Sequence, residues 1–296
     1  MQSAREDAAV SVVMPVFNAA KTVARALDSV LTQTVPPREV IVVDDASTDR
    51  TRDVLAAYAP RGLKILSHDS NAGAAAARNR GAAAANGAWI AFIDSDDLWH
   101  PTKLETQLAA LVAADRDVQA SCTGYRLITP SSEENVDYAG LAKAIGLDEL
   151  AGGCMVSPGS TLVVSAACFR AVGPFDASLR RYEDWDWLLR YAGRHRLGLV
   201  HQTLATVYDD RAGHSAAAIT SLRAVGRKHR AQGTFASAAA RLKFESTLLF
   251  ERAANRHREG RHVEAVLWTA ASLAMCPSRY RRGWASLRRA LRDIAG

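Results

Sequence analysis

Four short apolar segments alternate with helical segments in the N-terminal part of the chain, and this alternation restricts the fold more than any other feature. The apolar segments are residues 11–14, 40–43, 63–66 and 89–93. After the first of them, apolar residues recur at helical spacing, as at Val23, Leu27 and Val30. Strands that are apolar on both faces are typical of parallel sheets covered by helices on both sides. The sequence therefore predicts an α/β fold with a mostly parallel central sheet flanked by helices.

The composition is that of a globular protein rather than of a disordered or membrane-spanning chain. Hydrophobic residues make up 48% of the 296 residues and charged residues 23%. No apolar run approaches the ~20 residues that a membrane span needs, and the N-terminus lacks the pattern of a secretion signal. The four cysteines show no metal-ligand spacing and no disulfide-rich density. We therefore expect a cytoplasmic protein.

Positive charge is concentrated in the C-terminal part of the chain. Residues 211–296 contain 17 Lys or Arg against 5 Asp or Glu, whereas residues 1–210 contain 20 against 26. This asymmetry predicts a basic region distinct from an acidic body. A helix over residues 278–296 would place Trp284, Leu287 and Leu291 on one face among arginines, which suits the surface of an anionic membrane. Packing on the acidic body is the alternative, and nucleic-acid binding is not expected because no recognised module is present.

Polar side chains follow three of the four predicted strands. They are Asn18, which ends the segment 15–18 after the first strand, Asp44 and Asp45 after the second, and Asp94, Asp96 and Asp97 after the fourth. Ligands of parallel α/β sheets bind beyond the carboxyl ends of the strands, so these three endings would share one rim. Carboxylates this close repel one another, and the pair formed by Asp94 and Asp96 suits Mg²⁺ or Mn²⁺. A solvated acidic turn is the alternative for that segment taken alone.

A second group of carboxylates begins a predicted helix in LRRYEDWDWLLRY, residues 179–191. Glu183 and Asp184 stand near the start of this helix, where the helix dipole alone favours acidic residues. The functional alternative is a general base that takes a proton from an attacking hydroxyl. The neighbouring Trp185 either packs in the core or stacks against a sugar.

Four segments together resemble the family 2 glycosyltransferases of the GT-A fold. They are VSVVMPVFNAAKTVARALDSVLTQT, EVIVVDDASTDRT, NAGAAAARNRGAAAANGAWIAFIDSDDLWHP and GPFDASLRRYEDWDWLLR. The resemblance implies a GT-A (Rossmann-like) domain over residues 1–215, with residues 216–296 as a basic α-helical appendage. It also implies a nucleotide-sugar donor, a divalent cation, Mg²⁺ or Mn²⁺, and inversion at the anomeric carbon.

On the donor side, the resemblance assigns roles to residues at the predicted rim. Asp45 would accept a hydrogen bond from the base, usually uracil or thymine in this family. Arg78 would approach the nucleotide or its phosphates, with an ion pair at the sheet rim as an equal alternative. Asp96 would hold the metal, Asp94 would contact the ribose or water on the metal, and His214 would lie near the diphosphate or serve only the structure. The complete nucleotide-binding set is Pro15, Val16, Phe17, Asn18, Asp45, Arg78, Asp94 and Ser95, and the metal set is Asp94, Asp96 and His214.

On the acceptor side, Asp184 matches the Asp of the family's Glu-Asp motif, which implies the general base, with Glu183 beside it. Ser160 and Thr161 lie in a Gly/Ser-rich loop where similar enzymes build part of the acceptor pocket, and Trp185 is a further candidate. Turns and caps are the ordinary alternative for such hydroxyls.

The residues and the resemblance together predict an inverting, metal-assisted glycosyltransferase of surface polysaccharide or glycoconjugate biosynthesis. It would move a sugar from a UDP- or dTDP-sugar to a hydroxyl of a glycan or lipid-linked acceptor. The segment MPVFNAAKT lacks the Gly-rich phosphate loop of a sugar nucleotidyltransferase, and no Gln-x-x-Arg-Trp motif of processive synthases follows the Glu-Asp segment. A catalytically silent module that binds nucleotide-sugars is the other alternative. Peripheral binding to the inner face of an anionic membrane, through the C-terminal helices, is a further expectation.

Overall fold

The computed structural model of the protein describes residues 9–209 and 215–277. These residues form two compact units, each made of several segments of the chain. The first unit comprises residues 9–145, 155–177 and 194–209, and the second comprises residues 146–154, 178–193 and 215–277. The division into residues 1–215 and 216–296 stays a prediction.

The first unit contains a ten-stranded sheet within the described residues. Its strands are β1 (Val10–Val16), β2 (Glu39–Asp44), β3 (Leu63–Ser67), β4 (Trp89–Phe92), β5 (Leu98–Trp99), β6 (Ala120–Thr129), β7 (Ser132–Val136), β8 (Ala144–Ile145), β9 (Val163–Ser165) and β10 (Leu197–Tyr208). Their order is β3-β2-β1-β4-β9-β6-β10-β5, with β7 on β6 and β8 on β10. Strands β3, β2, β1 and β4 pair in parallel, as do β6 and β10, while β9 runs antiparallel between β4 and β6. The four predicted strands are these four parallel neighbours.

The helices divide between the two units. In chain order, those of the described residues are α1 (Val23–Leu31), α2 (Thr51–Tyr58), α3 (Ala74–Ala83), α4 (Lys103–Val112), α5 (Leu147–Leu150), α6 (Pro158–Thr161), α7 (Ala166–Val172), α8 (Glu183–Ala192), α9 (Ser215–Ala231), α10 (Ala238–Arg258) and α11 (His262–Met275). Helices α1 to α4, α6 and α7 belong to the first unit, and α5 and α8 to α11 belong to the second.

The side chains of β2 show why both faces of the sheet are covered. Val40 and Val42 belong to a core cluster that includes residues of α1 and α4. Ile41 and Val43 pack instead with Ala77 of α3. Successive residues of a strand point to opposite faces, so each face of β2 has its own apolar layer. The predicted α/β fold class, with helices flanking a central sheet, is confirmed. In the described residues the sheet is mixed, with four parallel and five antiparallel strand pairings.

The second unit is helical in its described residues, and α8 provides much of its core. Trp185, Trp187, Leu188 and Leu189 are almost completely buried. The Trp185 ring packs on Phe244 of α10, with ring centroids 5.4 Å apart. Positions 185, 188 and 189 recur at helical spacing, so burial of this face follows from the sequence pattern.

The helices expected after residue 215 are present as α9, α10 and α11. Across the described ranges, none of the helices combines the length and the apolar character required to cross a bilayer. The predicted membrane-surface helix over residues 278–296 lies outside the described residues.

Candidate functional site

The carboxyl ends of the parallel strands lie along one edge of the sheet. Asp44 at the end of β2 is the register partner of Val16 at the end of β1. The Asp45 backbone N–H donates to the Val16 carbonyl over 2.8 Å, and the Ile93 N–H just past β4 donates to the Val13 carbonyl over 3.2 Å. The three polar strand endings therefore share one rim.

The Asp45 carboxylate is buried and held firmly at this rim. It accepts hydrogen bonds from the backbone N–H groups of Ala72, over 2.9 Å, and Gly73, over 2.7 Å, where α3 begins. The His68 Nδ1 lies 2.6 Å from the same carboxylate. His68 was not predicted, although its place directly after β3, at the same edge, is a signal that could have found it. A carboxylate offers roughly four acceptor positions, and these contacts occupy three of those of Asp45.

Asp44, the other carboxylate at the end of β2, has its own partners. It accepts from the Ser47 N–H over 3.0 Å and from the Arg52 guanidinium over 2.7 Å. Burial raises the pKa of Asp44, but the hydrogen bonds from Ser47 and the ion pair with Arg52 outweigh burial and hold the pKa below its usual value. At this end of β2, an arginine therefore balances the charge of Asp44.

The loops after β1 and β2 are tied to each other. The Asn18 side-chain oxygen accepts from the Thr48 N–H over 2.8 Å, and the Asn18 N–H donates to the Ser47 hydroxyl over 2.9 Å. Asn18 and Ala46 have left-handed backbones, with φ of 50° and 62°. Such conformations are strained for non-glycine residues and concentrate at functional sites. The two loops thus form a fixed rim.

The predicted nucleoside-binding residues differ in their exposure. Pro15 and Val16 are buried within β1, and Ser95 is half-buried. Phe17, the next residue after β1, keeps 47% of its surface exposed. Asn18 is exposed beside it. A large aromatic ring held open at a sheet edge is suited to stack on a nucleotide base.

The acidic loop after β4, residues 94–97, is accompanied by arginines. The buried Arg78 donates from Nη2 to the Asp94 carboxylate over 2.5 Å. The ion pair that was one of two alternatives for Arg78 is therefore present. Arg25 of α1 donates from Nη2 to the Asp96 backbone carbonyl over 2.8 Å. Arg25 was not predicted, because an exposed arginine on a helix gives no local sign of its partner.

Asp97, the third carboxylate of the loop, is buried beneath it. One carboxylate oxygen accepts from the Ser160 hydroxyl, and the other accepts from the Tyr208 N–H over 2.8 Å. Burial, and then the negative charges of Asp94 and Asp96, raise the pKa of Asp97 well above its usual value. The charges of Asp94 and Asp96 therefore act on the buried carboxyl beneath them.

The acidic loop fits a divalent cation that arrives with a phosphate-bearing ligand. Within residues 9–209 and 215–277, no three His, Cys, Asp or Glu side chains form a complete metal site. Mg²⁺ beside substrate phosphates commonly takes only one or two carboxylates, because phosphate and water oxygens supply its other ligands. Asp94 and Asp96 are half-buried carboxylates of one loop, and their charge acts on Asp97. This donor set of carboxylate oxygens suits Mg²⁺ or Mn²⁺.

The acidic loop rests on a buried polar platform formed by α6, β5 and α4. The Ser160 hydroxyl accepts from the Asp94 N–H over 2.9 Å, and the Ser160 carbonyl accepts from the Trp99 indole N–H over 2.7 Å. The fully buried Lys103 places its Nζ 4.1 Å from the centroid of the Trp99 ring. The same ammonium donates to the Gln107 side chain over 2.7 Å.

Ser160 and Thr161 support this platform from inside the protein. Both residues are 0% exposed. The Thr161 hydroxyl donates to the Val156 carbonyl over 2.8 Å, while the Ser160 hydroxyl serves Asp97. Neither hydroxyl is open to an acceptor sugar, so the position of these residues gives their predicted acceptor role no support.

The burial of Lys103 has a consequence for stability. Burial lowers the pKa of Lys103 to about 7, from 10.5, with a smaller opposing effect of Cys122. Between about pH 7 and pH 10 the unfolded chain then binds more protons at this residue than the folded protein, so stability rises with pH. The free energy of unfolding of the native protein, relative to Lys103→Met, is expected to rise by about 2 kcal/mol or more from pH 7 to pH 9.5.

Urea unfolding of both proteins at the two pH values measures this difference. The exposed Lys21 provides a matched control, and Lys21→Met should differ from the native protein equally at both pH values. If the free energy of unfolding of Lys103→Met also differed from that of the native protein by the same amount at both pH values, the lowered pKa of Lys103 would be contradicted.

The second unit carries Glu183 and Asp184 in the first turn of α8. Both side chains are half-buried. The Asp184 carboxylate accepts from the Trp185 N–H over 2.7 Å. Tyr182, which precedes them, has a left-handed backbone with φ of 64°. The carboxylates thus stand at a helix start, as expected, after a strained residue.

Two further predicted residues gain no support as ligand contacts. Trp185 is 1% exposed, and its indole N–H donates to the Leu150 carbonyl over 2.8 Å. Its ring therefore has no face open to a sugar. His214 lies outside the described residues.

Sequence comparison relates the N-terminal half of the chain to known enzymes. The family model described as Glycosyl transferase family 2 matches residues 11–143. TuaG of Bacillus subtilis, whose name assigns it to teichuronic acid biosynthesis, is 42% identical over 121 residues, 40% of this chain and 47% of TuaG. WfgD of Escherichia coli, a UDP-Glc:α-D-GlcNAc-diphosphoundecaprenol β-1,3-glucosyltransferase, is 40% identical over 107 residues, 36% of this chain and 42% of WfgD. The chain thus matches less than half the length of these two relatives.

Structural comparison extends over nearly the whole chain. The mannosyltransferase PcManGT of Pyrobaculum calidifontis, solved with GDP-Man and Mn²⁺, is 20% identical with a TM-score of 0.62, covering 97% of this chain and 85% of PcManGT. A similarity at this identity concerns the fold, and it confirms the predicted GT-A architecture. The predicted resemblance to the family 2 glycosyltransferases is thus confirmed over residues 11–143.

Proposed function

We propose that the protein is an inverting glycosyltransferase that moves a sugar from a nucleotide-sugar donor to an acceptor hydroxyl. The observation that carries this proposal is the acidic loop after β4, which lies at the same sheet edge as Asp45. Ligands of such sheets bind at that edge. The match of residues 11–143 to the family 2 model supports the same reaction class.

The donor is proposed to bind along this edge, with its base at Asp45 and Phe17. The resemblance favours uracil or thymine, and therefore a UDP- or dTDP-sugar. The exposed Arg25 would balance part of the charge of the diphosphate, and Arg78, a predicted residue of the nucleotide site, would act there through its ion pair with Asp94. Asp96, with Asp94, would hold Mg²⁺ or Mn²⁺, which when bound stabilises negative charge on the departing nucleoside diphosphate. The remaining proposed nucleotide contacts are Pro15, Val16, Asn18 and Ser95.

Asp184 is proposed as the general base that takes the proton of the acceptor hydroxyl, with Glu183 beside it. Asp186, the third carboxylate of α8, is unsuited to this role because it is 0% exposed. Burial raises the pKa of Asp186, but hydrogen bonds from His229 and Lys228 and nearby positive charge outweigh burial and bring the pKa to about 2. A carboxylate with so low a pKa is a weak proton acceptor near neutral pH.

The acceptor is proposed to be a glycan or a lipid-linked sugar of surface polysaccharide or glycoconjugate biosynthesis. The name of WfgD includes UDP-Glc and a diphosphoundecaprenol-linked acceptor, and that of TuaG includes teichuronic acid biosynthesis. A lipid-linked acceptor would bring a cytoplasmic enzyme to the inner face of the membrane. Binding of anionic lipid through residues 278–296 stays a prediction.

A panel of nucleotide-sugars tests the proposal. UDP-, dTDP- and GDP-sugars are added with Mn²⁺, and the melting temperature and the transfer of labelled sugar to lipid-linked acceptors are measured. We expect a UDP- or dTDP-sugar to stabilise the fold, by about 2.7 kcal/mol at one hundred times its Kd, and to serve as donor. Binding without transfer would indicate the silent module instead. Stabilisation by GDP-sugars alone would contradict the proposed base, and no stabilisation at all would contradict the donor site.

A further inference from the structure

Tyr182, on one side of the Glu183–Asp184 turn, is anchored to α10. Its hydroxyl donates to the Glu251 carboxylate over 3.1 Å and accepts from the Asn255 side chain over 3.1 Å. Burial, and then the charge of Glu251, raise the pKa of the Tyr182 hydroxyl, so it remains protonated and donates. The backbone of Tyr182 is left-handed, a conformation that a tyrosine adopts only when its surroundings impose it. The contacts with α10 supply that restraint.

Asp186, on the other side of the same turn, is anchored to α9. Its carboxylate lies 3.1 Å from the His229 Nε2 and 2.9 Å from the Lys228 Nζ, and it accepts from Arg190 of its own helix over 3.0 Å. Asp186 and the His229 side chain are fully buried, and the His229 Nδ1 is 2.9 Å from the Thr234 hydroxyl. A buried carboxylate with partners on this many sides has one stable position.

The two anchors enclose the proposed base within one helical turn. The Asp186 N–H donates to the Tyr182 carbonyl over 2.9 Å, so Glu183, Asp184 and the buried Trp185 are the residues between two fixed points. Just upstream, the Arg180 N–H donates to the Ser221 hydroxyl of α9 over 3.1 Å. The chain segment that carries the carboxylates is therefore held by α9 and α10 rather than by its own helix alone.

We propose that Tyr182 and His229 are positioning residues for Asp184, acting through the backbone of this turn. The inference rests on the proposed function, in which Asp184 takes a proton. A general base works only within hydrogen-bond reach of its proton, and a displacement of about 1 Å can cost about 10²-fold in rate. Helices α9 and α10, expected from the sequence to form an appendage, then belong to the catalytic apparatus.

Two mild substitutions and a matched control test the inference in the full-length protein. Tyr182→Phe removes only the hydroxyl and keeps the ring that packs against Trp185, and His229→Gln removes the ring nitrogen that faces Asp186. The control is Arg230→Gln, which breaks an exposed ion pair between α9 and α10, Arg230 with Glu245, without touching α8. Both test variants should lower kcat by about 10-fold or more while the Kd of the donor stays within about 2-fold. The control should leave kcat unchanged.

Hydrogen exchange supplies a readout that a general loss of stability does not reproduce. Amide exchange of residues 183–186 should accelerate in Tyr182→Phe and His229→Gln more than exchange of the remainder of α8, and should not change in Arg230→Gln. If the native protein transfers sugar and both variants keep full kcat, the inference is wrong and the proposed function stands. If the native protein transfers no sugar from any donor, the proposed function fails and this inference fails with it.

Discussion

Asp184→Asn is expected to lower kcat for sugar transfer by about 10²–10⁴-fold, the usual contribution of a positioned general base. Asparagine has nearly the shape of aspartate but cannot accept a proton from the acceptor hydroxyl. Its side-chain carbonyl can still accept from the Trp185 N–H, which Asp184 now does over 2.7 Å. The start of α8 should therefore be preserved, and the Kd of the nucleotide-sugar should be unchanged.

Single-turnover transfer and calorimetric donor binding, measured on the same preparation, separate chemistry from binding in this variant. Asp148→Asn is the matched control, because Asp148 is an exposed aspartate of α5 in the same unit. It should transfer sugar at the native rate. Glu183→Gln distinguishes the two neighbouring carboxylates, and it should lose much less activity than Asp184→Asn. A fully active Asp184→Asn protein would move the base to another residue.

The parallel half of the sheet could be predicted because its signal is local. The predicted strand over residues 40–43 corresponds to β2, Glu39–Asp44. Its side chains are apolar on both faces, which only a strand covered on both sides requires. The common rim followed from that prediction alone, because the carboxyl ends of parallel strands meet at one edge.

The other half of the sheet could not be predicted in the same way. Strands β5 and β8 have two residues each, and β9 has three. Segments this short show no periodicity, and their strand character depends on partners far along the chain. The antiparallel place of β9 between β4 and β6 is likewise a property of tertiary packing.

The compensation of charge at the site was predicted only in part, through the rim ion pair that was one alternative for Arg78. Three crowded carboxylates suggested a metal, whereas the structure pairs Asp94 with Arg78 and buries Asp97 against Ser160. Arg78 is 16 residues from Asp94, and Ser160 is 63 residues from Asp97. No feature of the neighbouring sequence indicates which residues form such pairs. The predicted acceptor role of Ser160 assumed that its Gly/Ser-rich loop lies at the surface, as most loops do. The Ser160 hydroxyl is instead buried and donates to the Asp97 carboxylate, a partner that is distant in the sequence.

Removal of Asp96 is the second change with a large expected effect. Asp96→Ala should abolish the part of UDP binding that depends on Mn²⁺ and should lower transfer by about 10²–10³-fold, the typical cost of losing one electrostatic stabiliser. Calorimetric titration with UDP, in Mn²⁺ and again in EDTA, measures the first effect. The native protein should bind UDP more tightly in Mn²⁺, and the variant should bind it equally weakly in both buffers.

The exposed Asp115, in the loop after α4, provides the control, and Asp115→Ala should bind UDP as the native protein does. A loss of UDP binding in Asp96→Ala must also be distinguished from a loss of folding. The charge of Asp96 contributes to the raised pKa of the buried Asp97, so its removal relieves that repulsion, and the melting temperature of Asp96→Ala is measured beside its binding of UDP. A loss of binding at an unchanged melting temperature reflects the missing carboxylate rather than unfolding. Equal binding of UDP in Mn²⁺ and EDTA by the native protein would instead remove the cation from the proposal and leave Arg25 to balance the diphosphate.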